Sequence, residues 1–274
     1  EMFDAAHEAG LEAHIWIWTM NRGDQELMDH HPSWYSVSRD GKSCHDDPPY
    51  VGYYRWLCPS KDSVRQFLVN QVDELSKKDY IDGIHLDYVR FCDVILPEAL
   101  WPKYDLVQDH EMPRYDFCYC ENCRAKHQAH GGTDPASMED PAGDADWVQF
   151  RYDQITEVVN LLSSTAHANG KPISAAVFPT PTIAKKLVRQ DWVNWDLDIV
   201  FPMVYHAFYN EEVDWVAPAT AEGVIALNGK IPYYTGMYMP DIESAEELKS
   251  GIVASQTGGA NGFCLLGTIS DEQW

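Results

Sequence analysis

Ile81-Asp82-Gly83-Ile84-His85-Leu86-Asp87-Tyr88 reads as one short β-strand, closed by Val89-Arg90-Phe91. Side chains alternate along a strand, so Gly83, His85 and Asp87 point one way and Ile84, Leu86 and Tyr88 the other. The apolar set belongs against helices, which turns His85 and Asp87 toward an interior. A charge placed there is costly unless it is used or paired. Arg90 follows closely and can hold a carboxylate or a hydroxyl. The competing reading is an Asp that caps the loop or pairs with Arg90; the inward position favours a functional carboxylate.

Outward from this strand, strands alternate with helices. Residues 1–10 have a helical pattern that ends at Gly10, and residues 13–18 form a β-rich run, followed by a polar loop to residue 60. Val64, Phe67, Leu68, Val72 and Leu75 share one face of a helix over 61–78. After Asp87 comes an excursion, 92–146, rich in Pro, Asp, His and Gly. Helices are expected over 147–169, 182–190, 211–221 and 243–257, and strands over 173–178, 197–205, 231–237 and 262–266. Six strands separated by helices imply parallel pairing. No GxGxxG or GxxxxGK[ST] turn follows a strand, which argues against a doubly wound nucleotide-binding sheet. Long aromatic-rich loops after the strands favour an α/β fold of the (β/α)8 TIM-barrel type, whose site lies at the strand C-terminal ends. Two strands are then lacking. The chain opens and closes within helical patterns, at Glu1-Met2-Phe3 and Ser270-Asp271-Glu272-Gln273-Trp274, so we read it as part of a longer protein. Residues 1–274 form one partial barrel domain with 92–146 as an insertion after the fourth barrel strand.

The 274 residues carry 43 Asp and Glu against 20 Lys and Arg, a net charge of −23, which excludes the basic face that nucleic acid or an anionic membrane needs. No apolar run reaches the length of a membrane span. Apolar content of 45% with ten Trp excludes a disordered chain.

Asp82-Gly83-Ile84-His85-Leu86-Asp87-Tyr88-Val89-Arg90-Phe91 resembles the fourth-strand motif of glycosyl-hydrolase-like barrels of the family 10 glycosylhydrolase type. Gly10-Leu11-Glu12-Ala13-His14-Ile15-Trp16 resembles their preceding strand. His31-Pro32-Ser33-Trp34 and Leu57-Cys58-Pro59-Ser60, with Val64-Arg65, resemble their next loop and helix start, and Asp198-Ile199-Val200-Phe201-Pro202-Met203-Val204-Tyr205 a later strand. The resemblance spans residues 5–268 and makes the first strand here the barrel's third. It implies a glycosidase acting on an oligo- or polysaccharide, with Asp87 as nucleophile or base and no catalytic cofactor. Chitinase-like barrels carry D-G-x-D-x-D-x-E on this strand, and their Glu position is Val89 here. Amylase-like barrels place a Glu after the fifth strand, where this chain has Val177-Phe178-Pro179-Thr180-Pro181.

Glycoside hydrolysis normally uses two carboxyl groups. Asp24, Asp93, Glu211, Glu212 and Asp241 lie on strand-end loops, and His206, directly after a strand, is a candidate general acid or hydroxyl ligand. Sugar rings present C–H faces to aromatic side chains and hydroxyls to polar ones. His14, Trp16 and Trp18 alternate on one face of the first strand; with His85, Arg90, Tyr205 and Tyr238 they form the candidate substrate-binding set. Trp34, Trp147, Trp195 and Trp215 read as core.

Cys118-Tyr119-Cys120-Glu121-Asn122-Cys123 is CxCxxC, a spacing that suits structural zinc if a fourth ligand joins it. Cys92 is the favoured fourth ligand, with Cys44, Cys58 and His127 as alternatives; a disulfide or free buried thiols are the competing readings. The segment resembles the one that serves a structural zinc cluster in family 42 β-galactosidases. The acidic composition fits a secreted or cell-envelope protein. Two rival functions remain open: a non-catalytic carbohydrate-binding barrel, and a metal-dependent hydrolase or deacetylase with His85, Asp87 and His206 as ligands.

Overall fold

The computed structural model describes residues 2–270 and Gln273. Six strands alternate with helices: β1 (His14–Trp18), β2 (Gly83–Asp87), β3 (Ile173–Val177), β4 (Ile199–Pro202), β5 (Tyr234–Tyr238) and β6 (Gly262–Leu266). The helices are α1 (Met2–Glu8), α2 (Gln25–His30), α3 (Asp62–Ser76), α4 (Glu121–Ala129), α5 (Ala145–Ala168), α6 (Pro181–Val188), α7 (Val216–Leu227) and α8 (Ala245–Thr257). All strand pairs are parallel, as the alternation implies. The strands form a four-stranded sheet, β1-β2-β3-β4, and a two-stranded sheet, β5-β6. Single parallel bridges, Val200 to Tyr233 and Met203 to Gly236, join them. The result is an open array of six strands rather than a closed barrel: among the described residues β1 and β6 are edges.

The alternation along β2 holds. Ile84 and Leu86 are fully buried, with Ile173, Ala175, Val177 and Val200 of the neighbouring strands also in the main core. On the opposite face His85 shares a 2.9 Å hydrogen bond with Ser174, and its ring lies 5.2 Å from Phe201, which lies 5.4 Å from Tyr234. One polar-aromatic layer thus crosses β2 to β5. The helices start where short polar side chains cap them: Asp144 accepts from Trp147 N, Thr180 from Ile183 N ahead of Pro181, and Ser244 from Glu247 N.

Two expectations shift, and a third is not covered. The polar loop before residue 60 contains α2 and a short turn at Pro32–Trp34. The helix expected over 211–221 begins later and runs further, to Leu227, stopped by Asn228 and Gly229 in the left-handed region. Gly223 does not break it; the absent side chain makes room for Tyr233 and Trp192, since a Cβ there would lie 2.4 Å from the Tyr233 ring. The helix start expected at 270–274 falls largely outside the described residues.

Gly236 marks the closest approach of β4 and β5. A Cβ added there would sit 2.9 Å from the Pro202 carbonyl oxygen and 3.5 Å from Met203 Cα. Backbone cannot rotate away, so Gly236→Ala should cost about 1–3 kcal/mol. Thermal denaturation checks this; an unchanged midpoint would mean the two strands are not held so close.

Candidate active site

Asp87 ends β2 and pairs in register with Trp18 of β1. Its Oδ1 accepts from Tyr88 N at 2.6 Å and its Oδ2 from Trp16 Nε1 at 3.1 Å. Tyr88 has φ of 49°, a conformation costly for a non-glycine residue, and this turn lets its amide point back at the carboxylate. Burial raises the Asp87 pKa above the ordinary carboxylate value, against the pull of the Tyr88 amide, Arg90 and Trp16.

Aromatic rings surround this carboxylate. Trp16 and Trp18 remain 53% and 41% exposed, so their faces are open to a ligand. Trp18 packs 4.8 Å from Tyr88 and 6.2 Å from Tyr53. From β4 and β5, Tyr205, Phe208 and Tyr238 form a second group, with Tyr205 and Tyr238 5.3 Å apart. Burial raises the Tyr205 hydroxyl pKa, and Cys264 and then Asp87 add to it. Tyr53 and Phe208 belong to these ring groups without being expected there; for Tyr53 the run Tyr53-Tyr54-Arg55-Trp56 is the available signal.

Several expected site residues lie elsewhere or act differently. His14 stands at the N-terminal end of β1, its ring over Gly83 and its Nε2 3.2 Å from Glu12. It is four residues from Trp18 along the strand, about 13 Å away, and so at the wrong end. His85 serves Ser174 rather than Asp87; burial lowers its pKa to about 4, so it is neutral at physiological pH. Arg90 does not face a ligand. It is buried with Asp93 at 2.9 Å, and its guanidinium lies 4.7 Å from the Trp56 ring and 5.0 Å from Phe178. From there its charge favours ionised Asp87. Arg90→Ala would strand the Asp93 charge in the interior and should cost about 3–5 kcal/mol, read by urea denaturation; a loss below about 1 kcal/mol would mean that water reaches the pair.

Of the rim carboxylates, Asp93 is thus committed to Arg90, and Asp24 to Arg22 at 2.7 Å. Glu211 and Glu212 are exposed. Asp241 differs. Burial raises its pKa, and its Oδ2 is buried without a hydrogen-bond partner. His206 lies beside it, buried, with Nε2 3.7 Å from Glu247 Oε1. His206 therefore belongs to a cluster with Asp241 and Glu247, and its partners do not include Asp87. Trp147 and Trp195 are core as expected, whereas Trp34 and Trp215 are only half-buried.

Sγ atoms of Cys58, Cys118, Cys120 and Cys123 all lie within 4.8 Å of one another, and all four residues are buried. Cys58 is 3.4 Å from Cys123 and 3.7 Å from Cys120, and Cys120 is 3.7 Å from Cys123. Four thiolates about 2.3 Å from a tetrahedral zinc ion would be about 3.8 Å apart, so the donor set fits. Cys58, not Cys92, fills the fourth position, because the loop before α3 folds against α4. Cys92 is buried outside the group, and all seven cysteines are free. His85, Asp87 and His206 do not form a ligand group; among the described residues the four cysteines are the only such cluster.

A parallel α/β array with a half-buried carboxylate among aromatic rings at the strand C-terminal ends defines a class of fold, the barrel-like α/β architecture. Solved structures agree on the fold. The PgaB (BpsB) glycoside hydrolase domain from Bordetella bronchiseptica aligns with a TM-score of 0.67 and 13% identity over 96% of this chain and 72% of its own. A β-galactosidase from Rahnella sp. R3 gives 0.61 and 14%, over 99% of this chain and 43% of its own. The catalytic domain of β-amylase from Paenibacillus polymyxa gives 0.60 and 14%, over 97% and 78%. At these identities the likeness is one of fold. No family model matches the chain, and no curated protein matches it. No described helix is long and apolar enough to cross a membrane.

Proposed function

We propose that the chain is the barrel of a glycoside hydrolase acting on an oligo- or polysaccharide, with Asp87 as nucleophile or base. The observation that carries this reading is the Asp87 carboxylate itself: half-buried, oriented by Trp16 and Tyr88, and set among aromatic rings. Trp16, Trp18, Tyr205 and Tyr238 stack on sugar faces. The strands β1 to β6 correspond to barrel strands three to eight, with 92–146 inserted after the fourth, in a single domain. His206, with Asp241 beside it, supplies the proton donor on the β4–β5 side; the raised pKa of Asp241 keeps a carboxyl proton available to higher pH than an ordinary Asp would. The glycosidase names of the fold neighbours are consistent with this reading. The four cysteines hold a structural zinc ion, with no open position for chemistry. A secreted or cell-envelope location completes the proposal.

The direct test is reducing-end release from soluble polysaccharides by the wild type and by Asp87→Asn. Glycan affinity without turnover, unaffected by Asp87→Asn, would instead favour a carbohydrate-binding barrel.

A further inference from the structure

A cavity of about 590 Å³ lies on the same rim, outside the Asp87 groove. Its walls come from the Glu98–Tyr104 turn after β2, from α6 after β3, and from the segment after β4. Trp101, Tyr209 and Trp215 line it, and Glu98, Glu211 and Lys186 stand at its exposed lip. The Trp101 indole is anchored by a 2.8 Å bond from Nε1 to Leu96 O, and Trp215 packs 5.3 Å from Tyr209. The volume lies within the ~300–1,000 Å³ of small-molecule sites. Flat aromatic walls with carboxylates and an amine at the mouth match a ligand with C–H faces and many hydroxyls.

Tyr209 links the cavity wall to the groove along the chain. This residue belongs to the turn His206–Tyr209 that follows Tyr205. Tyr205 packs with Tyr238 in the aromatic group of the groove, and Tyr209, four residues on, lines the cavity. We infer that this cavity is a distal glycan-binding site, which holds sugar units of the same chain whose scissile bond reaches Asp87. The inference rests on the glycosidase reading and deepens it: the substrate is a polymer or long oligosaccharide, and affinity grows with chain length.

Affinity electrophoresis of the full-length protein tests this, with hydroxyethyl cellulose, barley β-glucan, xylan, galactomannan and glycol chitosan in the gel. Wild type and Asp87→Asn should be retarded by at least one of them. Trp101→Ala and the exposed Glu211→Ala, with melting temperatures matched to wild type, should bind that polysaccharide about fivefold more weakly, and Trp101→Phe should recover most of the loss. Retardation unchanged in Trp101→Ala and Glu211→Ala would overturn the distal site and leave the glycosidase reading standing. If no polysaccharide retards the wild type and none is cut, the glycosidase reading fails and the distal site with it.

Discussion

Asp87→Asn should lower glycan cleavage by about 10³-fold or more while the protein stays folded. The substitution removes the only group at this position that can attack or deprotonate. The cost to the fold is small. The Asn oxygen still accepts from Tyr88 N, and Trp16 Nε1, on a side chain 53% exposed, turns to water. Charge works in the variant's favour. Burial raises the Asp87 pKa in the folded state, so folding binds extra proton between the ordinary carboxylate value and the raised one. Stability therefore falls as pH rises through that window, and the full penalty is present above it. Asn carries no such penalty, so the melting temperature at neutral pH should stay within a few degrees of wild type. The same shift sets the acidic limb of the wild-type activity profile above the ordinary range of an Asp. Turnover that survives Asp87→Asn would overturn the assignment.

The second large effect concerns the cysteines. The protein as purified should carry one zinc ion per chain, measured by elemental analysis, and Cys120→Ser or a strong chelator should remove it. The cluster ties the loop before α3 to the excursion: Tyr119 N donates to Val37 O, and Cys118 accepts from Val37 N. Trp56, two residues before Cys58, is the ring on which Arg90 lies. Loss of the ion leaves four buried thiols packed together and releases both segments. Structural zinc contributes on the order of 10–16 kcal/mol in small peptides. Even about 4 kcal/mol here would lower the melting temperature by roughly 8–16 °C. Cys92→Ser should keep the metal. A protein free of zinc with the wild-type melting temperature would sink the proposal.

Legibility followed the range of the forces involved. The period-two pattern of β2 identified its buried face and put Asp87 on the opposite one, as the structure does, because alternation is a local property of the backbone. Helical spacing located α3, α5 and α8 within a few residues for the same reason. Partnership was another matter. Arg90 lies three residues from both Asp87 and Asp93, and only the turn at Tyr88 decides that it binds Asp93. Cys92 is nearer to the CxCxxC segment in sequence, yet Cys58 joins it.

By itself the sequence determined the parallel α/β class, the inward carboxylate on β2 and the thiol-rich segment at 118–123. These rest on periodicity and residue chemistry within a few positions. Tertiary structure alone decided which end of β1 meets Asp87, which cysteine completes the cluster, and that Trp101, Tyr209 and Trp215 line one cavity. Those outcomes depend on how segments tens of residues apart pack, and packing energy is set by shape in three dimensions, which no local pattern encodes.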